Sequence, residues 1–134
     1  AKKGAKSITV INRTKERVQT LRSVIKDDCG YDIHTEMQLA HYDIVVNCTS
    51  LGMGKNTGLS PVSEMPFADA GTVAADMIYN PEKTEFLKIA ESRGARIING
   101  KAMLIFQGIL AYELFTGAKV PENMTDRIFK EVFG

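Results

Sequence analysis

The stretch SITVINRTKER, residues 7–17, joins a run of β-branched residues to a charged segment. Residues 7–11 have the composition of a strand, since β-branched side chains favour extended backbone. Residues 15–28 then place apolar side chains at helical spacing, which predicts an amphipathic helix. Thr14 suits the N-cap of that helix, and Gly30 suits its end. The stretch is therefore a strand that turns directly into a helix.

The same alternation continues along the chain. Further strands are predicted at 32–35, 42–47, 72–76 and 95–99, and further helices at 83–94, 101–117 and 125–133. Residues 49–66, rich in Gly, Ser, Asn and Pro, form a predicted loop. Short strands that alternate with helices indicate an α/β fold with a mostly parallel sheet.

Composition excludes several classes of protein. The 134 residues are 44% hydrophobic and 25% charged, which suits one globular domain, and a net charge of +1 creates no field for nucleic acid. Two cysteines and two histidines without ligand spacing predict neither a disulfide framework nor a metal site. The most apolar segment, residues 102–115, is interrupted by Gln107 and Glu113, and no apolar core follows the basic N-terminus. We therefore expect a cytoplasmic protein that binds no membrane.

Polar or glycine-bearing residues follow four of the predicted strands. They lie at 12–14, 47–52, 76–79 and 99–100. Ligands of parallel α/β sheets bind beyond the carboxyl ends of the strands, so we expect these four places to line one ligand site. The segment GMGKNTG, residues 52–58, lacks the spacing of a P-loop and does not indicate an NTPase.

The turn at residues 12–17 carries cations where many nucleotide-binding folds carry an acid. An acid there binds the adenosine 2′-hydroxyl, whereas arginine accommodates a 2′-phosphate. Arginine can bind a phosphate with two parallel hydrogen bonds. The alternative is that Thr14 only caps a helix and that Arg13, Lys15 and Arg17 form a solvated face. The turn alone leaves both interpretations open.

A further group lies at the start of the predicted helix 101–117. Met103 and Gln107 are one helical turn apart and share a face. Gln107 stands in an otherwise apolar helix, so it needs a polar partner, a ligand or an exposed position. For Met103 the alternative is ordinary packing in the core.

Four segments occur in the order found in one enzyme family. They are INRTKER, DIVVNCTSLGM, DMIYNPEKTEFL and INGKAMLIFQGILAYELFTG, at residues 11–17, 43–53, 76–87 and 98–117. With these segments the chain resembles the C-terminal NADP-binding domain of shikimate dehydrogenases over its whole length. The resemblance implies a single, partial Rossmann-like domain at 1–134, with a doubly wound parallel sheet and helices on both faces. It also implies the reduction of 3-dehydroshikimate to shikimate with NADPH, a step of aromatic amino-acid biosynthesis.

The resemblance assigns roles to the matching positions. Those at the adenosine 2′-phosphate are Asn12, Arg13, Thr14, Lys15 and Arg17. Those near the ribose and pyrophosphate are Thr49 and Ser50. Those around the nicotinamide are Met77, Gly100 and Met103. The positions that match contacts to the substrate are Tyr79 and Gln107.

The chain also departs from the family. It contains no G-x-G-x-x-G turn, its sheet is incomplete at the N-terminal strand, and the N-terminal substrate domain is absent. The resemblance places the lysine and aspartate of proton transfer in that domain, so we expect no catalytic residue here and no activity from this chain alone. Either the missing part accompanies the chain, or a homodimer repairs the sheet, or the sequence records part of a longer molecule. A quinate or aminoshikimate dehydrogenase, and a non-catalytic nucleotide-binding module, are the alternative functions.

Overall fold

The computed structural model describes residues 1–37 and 40–134, and the chain forms two compact units, Ala1–Ala40 and His41–Gly134. Helix α1, Lys15–Cys29, dominates the first unit and buries Val18. It ends at Gly30, whose φ of 68° is left-handed and whose N–H donates to the Lys26 carbonyl. A left-handed residue at this point suits glycine, because other residues meet a steric penalty there. The helix predicted at 15–28 is confirmed.

The two strands predicted in the first unit are much reduced. A single parallel bridge joins Thr9 to His34, with bonds from Val10 N to the His34 carbonyl and from His34 N to the Ile8 carbonyl. The regular strands predicted at 7–11 and 32–35 are therefore wrong, although their parallel pairing is present. Among the described residues these two segments pair only with each other, and an isolated pair of short strands is marginally stable, so the pairing stays a single bridge.

The second unit is built on a parallel sheet of three strands. They are β1 (Ile44–Asn47), β2 (Val73–Asp76) and β3 (Arg96–Ile98), in the order β1-β2-β3. Helix α2, Glu85–Ser92, connects β2 to β3 and packs against both. Parallel neighbours need such a crossover connection, and this one follows the βαβ pattern. The α/β fold with a parallel sheet is thereby confirmed, with each strand shorter than predicted.

The core of the second unit lies between α2 and the sheet. Helix α2 buries Phe86, Leu87 and Ala90, and β2 contributes the fully buried Ala74. The predicted loop 49–66 supplies Met65 to the same cluster, a role that its polar composition did not indicate. The loop is therefore part of the hydrophobic core as well as a connection.

Two further helices complete the unit. Helices α3, Lys101–Thr116, and α4, Glu122–Phe133, contact each other. Helix α3 buries Ile105 but exposes large apolar side chains, namely Phe106, Leu110, Leu114 and Phe115. Strand β1 likewise leaves Ile44 65% exposed. Exposed large apolar side chains that recur along one helix are typical of interaction surfaces. In the part of the chain that the structure describes, no helix combines the length and apolar character needed to cross a membrane.

Candidate functional site

Three of the four predicted places meet at the carboxyl ends of the strands. We call this region, residues 47–52, 76–79 and 99–100, the carboxyl edge. The register of β1 and β2 sets Asn47 beside Asp76, and Met77 N donates to the Asn47 carbonyl at 3.2 Å. Gly100 N donates to the Ile78 carbonyl at 2.9 Å, which attaches the start of α3 to the turn after β2. The predicted convergence of these three places is confirmed.

A buried polar network lies directly beneath the carboxyl edge. Its members Asn47, Asp76 and Thr84 are 2%, 3% and 1% exposed. The Asn47 amide donates to Asp76 Oδ2 at 3.1 Å, and the Thr84 hydroxyl donates to the same oxygen at 2.6 Å. The second carboxylate oxygen accepts from Ile78 N at 2.9 Å. A buried carboxylate is tolerated only with such partners, so the network holds the ends of β1, β2 and α2 in one arrangement.

Sequence reasoning missed this network. The available signal was Asp76 at the end of a buried strand, eight residues before Thr84, which suits the N-cap of α2. Thr84 is indeed that N-cap, and its hydroxyl accepts from Leu87 N at 3.4 Å. The pairing of the two side chains depends on how α2 folds back onto β2, which spacing alone does not specify.

The loop after β1 takes its shape from Asn47. The Asn47 side-chain oxygen accepts from the Thr49 amide at 2.9 Å and from the Thr49 hydroxyl at 2.8 Å. That hydroxyl in turn accepts from Leu51 N at 3.2 Å. Short-range bonds of this kind stabilise a tight turn. The turn leaves both Thr49 and Ser50 exposed at the carboxyl edge, as their predicted role requires.

Gly100 and Met77 approach each other through their backbones. A Cβ placed on Gly100 would lie 2.2 Å from the Met77 carbonyl oxygen, so only glycine permits this contact. The side chains of Met77 and Tyr79 project from the same turn and are 45% and 43% exposed. Three of the predicted positions are thus adjacent, with two of their side chains open to solvent.

The first turns of α3 carry the remaining predicted residues of this unit. Met103 and Gln107 are both exposed. Packing of Met103 in the core, the alternative considered from the sequence, is therefore wrong. The Gln107 amide is open to solvent, so the exposed position, one of the three possibilities considered from the sequence, is the one observed.

The turn at residues 12–17, in the first unit, is built differently. Asn12 accepts from Thr14 N at 2.9 Å and closes the turn in front of α1. Thr14 occupies the N-cap position, but its side chain makes no capping bond. The N-cap predicted at Thr14 is therefore confirmed in position, and its hydroxyl makes no bond to the helix backbone there.

The cations of this turn are exposed. Within residues 1–37 and 40–134, the ion pairs engage other side chains and leave Arg13, Lys15 and Arg17 without an acid at ion-pair distance. Arg22, further along α1, shows the contrast: it binds Asp32 through two bonds, and its hydrogen bond lowers the pKa of Asp32.

The donors of the turn fit a phosphate and do not fit a metal. Guanidinium groups, a free hydroxyl and the N-terminus of a fifteen-residue helix all favour an anion. Among the described residues, no group of three His, Cys, Asp or Glu side chains could hold a metal ion. The chemistry of the turn is therefore that of an anion-binding surface.

Comparisons with known proteins identify the class. No protein-family model matches the chain. A solved shikimate dehydrogenase in complex with NADP⁺ superposes with a TM-score of 0.75 at 26% identity, over 96% of this chain and 47% of that one. The quinate dehydrogenase from Corynebacterium glutamicum, in complex with NAD, superposes with a TM-score of 0.77 at 26% identity, over 95% of this chain and 46% of that one. The parallel sheet, its polar carboxyl edge and these neighbours define a Rossmann-like α/β domain.

The sequence relatives narrow the class to a family. The shikimate dehydrogenase (NADP⁺) of Alkaliphilus metalliredigens is 36% identical over 137 residues, which cover 96% of this chain and 48% of that protein. The chain belongs to the shikimate dehydrogenase family and corresponds to the C-terminal domain of its members. It spans about half the length of the curated relatives it matches.

Proposed function

We propose that this chain is the NADP-binding part of a shikimate dehydrogenase. The full-length protein would then interconvert 3-dehydroshikimate and shikimate with NADP(H), within aromatic amino-acid biosynthesis in the cytoplasm. The observation that carries the proposal is the exposed turn at residues 12–17, whose cations Arg13, Lys15 and Arg17 form no ion pair among the described residues, in a chain whose relatives are named NADP⁺ enzymes.

In the first unit, the turn would hold the adenosine 2′-phosphate. The Arg13 and Arg17 guanidinium groups can each donate two parallel hydrogen bonds to phosphate oxygens, and the Thr14 hydroxyl can donate another. Asn12 shapes the turn by accepting from Thr14 N, and Lys15 adds positive charge. The N-terminus of α1 favours an anion at the same place.

In the second unit, the carboxyl edge would receive the rest of the cofactor. Thr49 and Ser50 would contact the ribose and pyrophosphate, while Met77, Gly100 and Met103 would surround the nicotinamide. The methionine side chains would exclude water from that ring, and Gly100 keeps α3 close to the turn after β2. When bound, NADP supplies the hydride acceptor, or NADPH the donor, for a secondary alcohol and its ketone.

The substrate would be held by this chain and by a further domain. Tyr79 and Gln107 are the residues here that would contact it, through a phenol hydroxyl and an amide. The proton-transferring residues would belong to an N-terminal substrate domain, which is consistent with relatives about twice as long as this chain. The exposed apolar side chains of α3 support a covering partner. Sedimentation of the intact protein distinguishes this arrangement from a homodimer, which could cover the same faces.

Charge reversal at Arg13 tests the proposal. In the intact protein, Arg13→Asp should lower kcat/KM for NADP⁺ about 100-fold, because it removes charge-assisted bonds and adds repulsion. It should change kcat/KM for NAD⁺ by less than about threefold, since NAD⁺ lacks the 2′-phosphate. Lys26→Asp, in the last turn of helix α1 and at the end away from the turn, is the matched control and should leave the ratio of the two kcat/KM values unchanged. Equal losses with both cofactors would contradict the assignment of Arg13.

A second candidate substrate is quinate, because a solved quinate dehydrogenase superposes with a TM-score of 0.77. That structure contains NAD, whereas the cationic turn of this chain favours NADP. Measuring kcat/KM of the intact protein for shikimate and for quinate, each with NADP⁺ and NAD⁺, decides between them. Preference for quinate with NAD⁺ would replace the first proposal.

A further inference from the structure

Phe133, near the end of α4, contacts two elements at the carboxyl edge. Its ring centroid lies 6.2 Å from that of Tyr79, with the ring planes inclined by 56°. On the same ring, the Lys101 ammonium lies 5.2 Å from the centroid. Phe133 therefore joins the turn after β2 to the first residue of α3.

The cluster around Phe133 is held by further contacts. Lys101 Nζ binds Glu82 Oε1 at 3.0 Å, and the Lys101 side chain is only 18% exposed. The Phe129 ring packs on Phe133 with centroids 5.3 Å apart. Tilted aromatic pairs and a partly desolvated cation over a ring both stabilise their geometry. The position of the Phe133 ring is thus defined by two neighbours besides Tyr79, namely Phe129 and a Lys101 side chain that Glu82 holds in place.

Tyr79 gains its orientation from this cluster. Its side chain is 43% exposed, so protein neighbours contact only part of it and restrict its rotamers only on that side. A ring packed against one side selects among the rotamers and still leaves the other side open for a ligand. Tyrosine has two side-chain torsions, so one such contact restricts a large part of its freedom.

We propose that Phe133 is a positioning residue, which orients Tyr79 for contact with the substrate. The inference rests on the proposed function, in which the Tyr79 hydroxyl contacts shikimate. In the proposed function, Phe133 itself contacts neither the substrate nor the cofactor. Its loss should therefore weaken substrate binding and leave the binding of NADP⁺ nearly unchanged.

Steady-state kinetics of the intact protein test the proposal. Phe133→Leu keeps an apolar side chain but removes the ring, and it should raise the KM for shikimate about three- to tenfold. The KM for NADP⁺ and kcat should stay within about twofold. Phe133→Tyr keeps the ring and should restore the KM for shikimate to the wild-type value. Val132→Ala, which trims the exposed neighbouring residue on α4, is the matched control and should change neither KM.

A spectroscopic readout separates orientation from stability. In protein labelled with 3-fluorotyrosine, the ¹⁹F signal of Tyr79 is the one lost in Tyr79→Phe. That signal should shift in Phe133→Leu and stay in place in Val132→Ala, with the melting temperature of each variant recorded alongside.

The outcomes distinguish this inference from the function on which it rests. Absence of shikimate turnover by the wild-type protein would overturn the proposed function and the inference with it. Normal wild-type turnover together with an unchanged KM for shikimate in Phe133→Leu would overturn the inference alone. An unmoved Tyr79 signal in that variant would do the same.

Discussion

The carboxyl edge and the turn at residues 12–17 both carry polar side chains but use them in opposite ways. At the carboxyl edge, Asn47 and Asp76 are buried and direct their polar atoms at one another. In the turn, Arg13 and Arg17 are exposed and form no ion pair among the described residues. The first region uses polarity to hold backbone in place, whereas the second leaves charge available to a ligand. Burial therefore separates polar groups that build a site from those that can contact a ligand.

The two helix N-caps show this difference with a single residue type. Thr84 caps α2, with its hydroxyl accepting from Leu87 N and donating to Asp76. Thr14 occupies the same position on α1 and makes no side-chain cap bond. The hydroxyl of the threonine before the helix is thus hydrogen-bonded within the protein in one region, and makes no capping bond in the other.

The largest effect is expected from breaking the buried network. Asp76→Ala removes the acceptor of Ile78 N and of the Thr84 hydroxyl. Each buried donor left without a partner costs about 1–3 kcal/mol, so the free energy of unfolding should fall by about 3 kcal/mol. Urea denaturation of the intact protein measures this change. The control is Asp43→Ala, at a side chain 96% exposed, which should cost less than about 0.5 kcal/mol. Similar values for the two variants would show that the network does not stabilise the edge.

A paired substitution compares the two caps directly. Thr84→Val keeps the shape of the side chain but removes the hydroxyl, and it should lower the free energy of unfolding by about 1–2 kcal/mol. Thr14→Val should change it by less than about 0.5 kcal/mol, since no capping bond is lost. On the proposed function, Thr14→Val should instead weaken NADP⁺ binding, measured by titration calorimetry. A stability loss at Thr14 equal to that at Thr84 would remove the distinction between the regions.

The smallest effect is expected at the surface pair of Arg22 and Asp32. The hydrogen bond from Arg22 lowers the pKa of Asp32 below its ordinary value of 3.8. The pair therefore contributes stability above pH 3.8 and loses it as the pH falls through the folded-state pKa. Arg22→Gln should be slightly less stable than wild type at neutral pH, and the gap should close in strong acid. Urea denaturation at both pH values checks this, and a gap that does not change with pH would contradict it.

The helices were predicted well because their signals are local. Residues 15–28 carry apolar side chains at helical spacing, residues 101–117 are largely apolar, and a glycine ends each segment; the observed helices are Lys15–Cys29 and Lys101–Thr116. Strands depend on partners elsewhere in the chain, so their ends are harder to predict; the strand predicted at 42–47 is observed as Ile44–Asn47. For the same reason, the strand predicted at 7–11 is observed as a single bridge from Thr9 to His34.

The position of the candidate site could be predicted from the sequence, but the hydrogen bonds that hold it together could not. Strand polarity alone places Asn47, Asp76 and Asn99 at one end of a parallel sheet, and the structure confirms this. The bonds among Asn47, Asp76 and Thr84 escaped prediction because they join residues 29 and 8 positions apart. Met103, assigned to the core as an alternative, lies exposed because α3 buries Ile105 instead.

The amino-acid sequence by itself determined the alternation of elements, the family and the polar residue types that follow the strands. These follow from periodicity, from residues adjacent to strand ends and from ordered segments, all of which are read along the chain. Only the tertiary structure decided which polar groups hydrogen-bond to one another and which stay exposed to solvent. That choice depends on burial, since a polar atom removed from water must find a partner across space, whatever its place in the sequence.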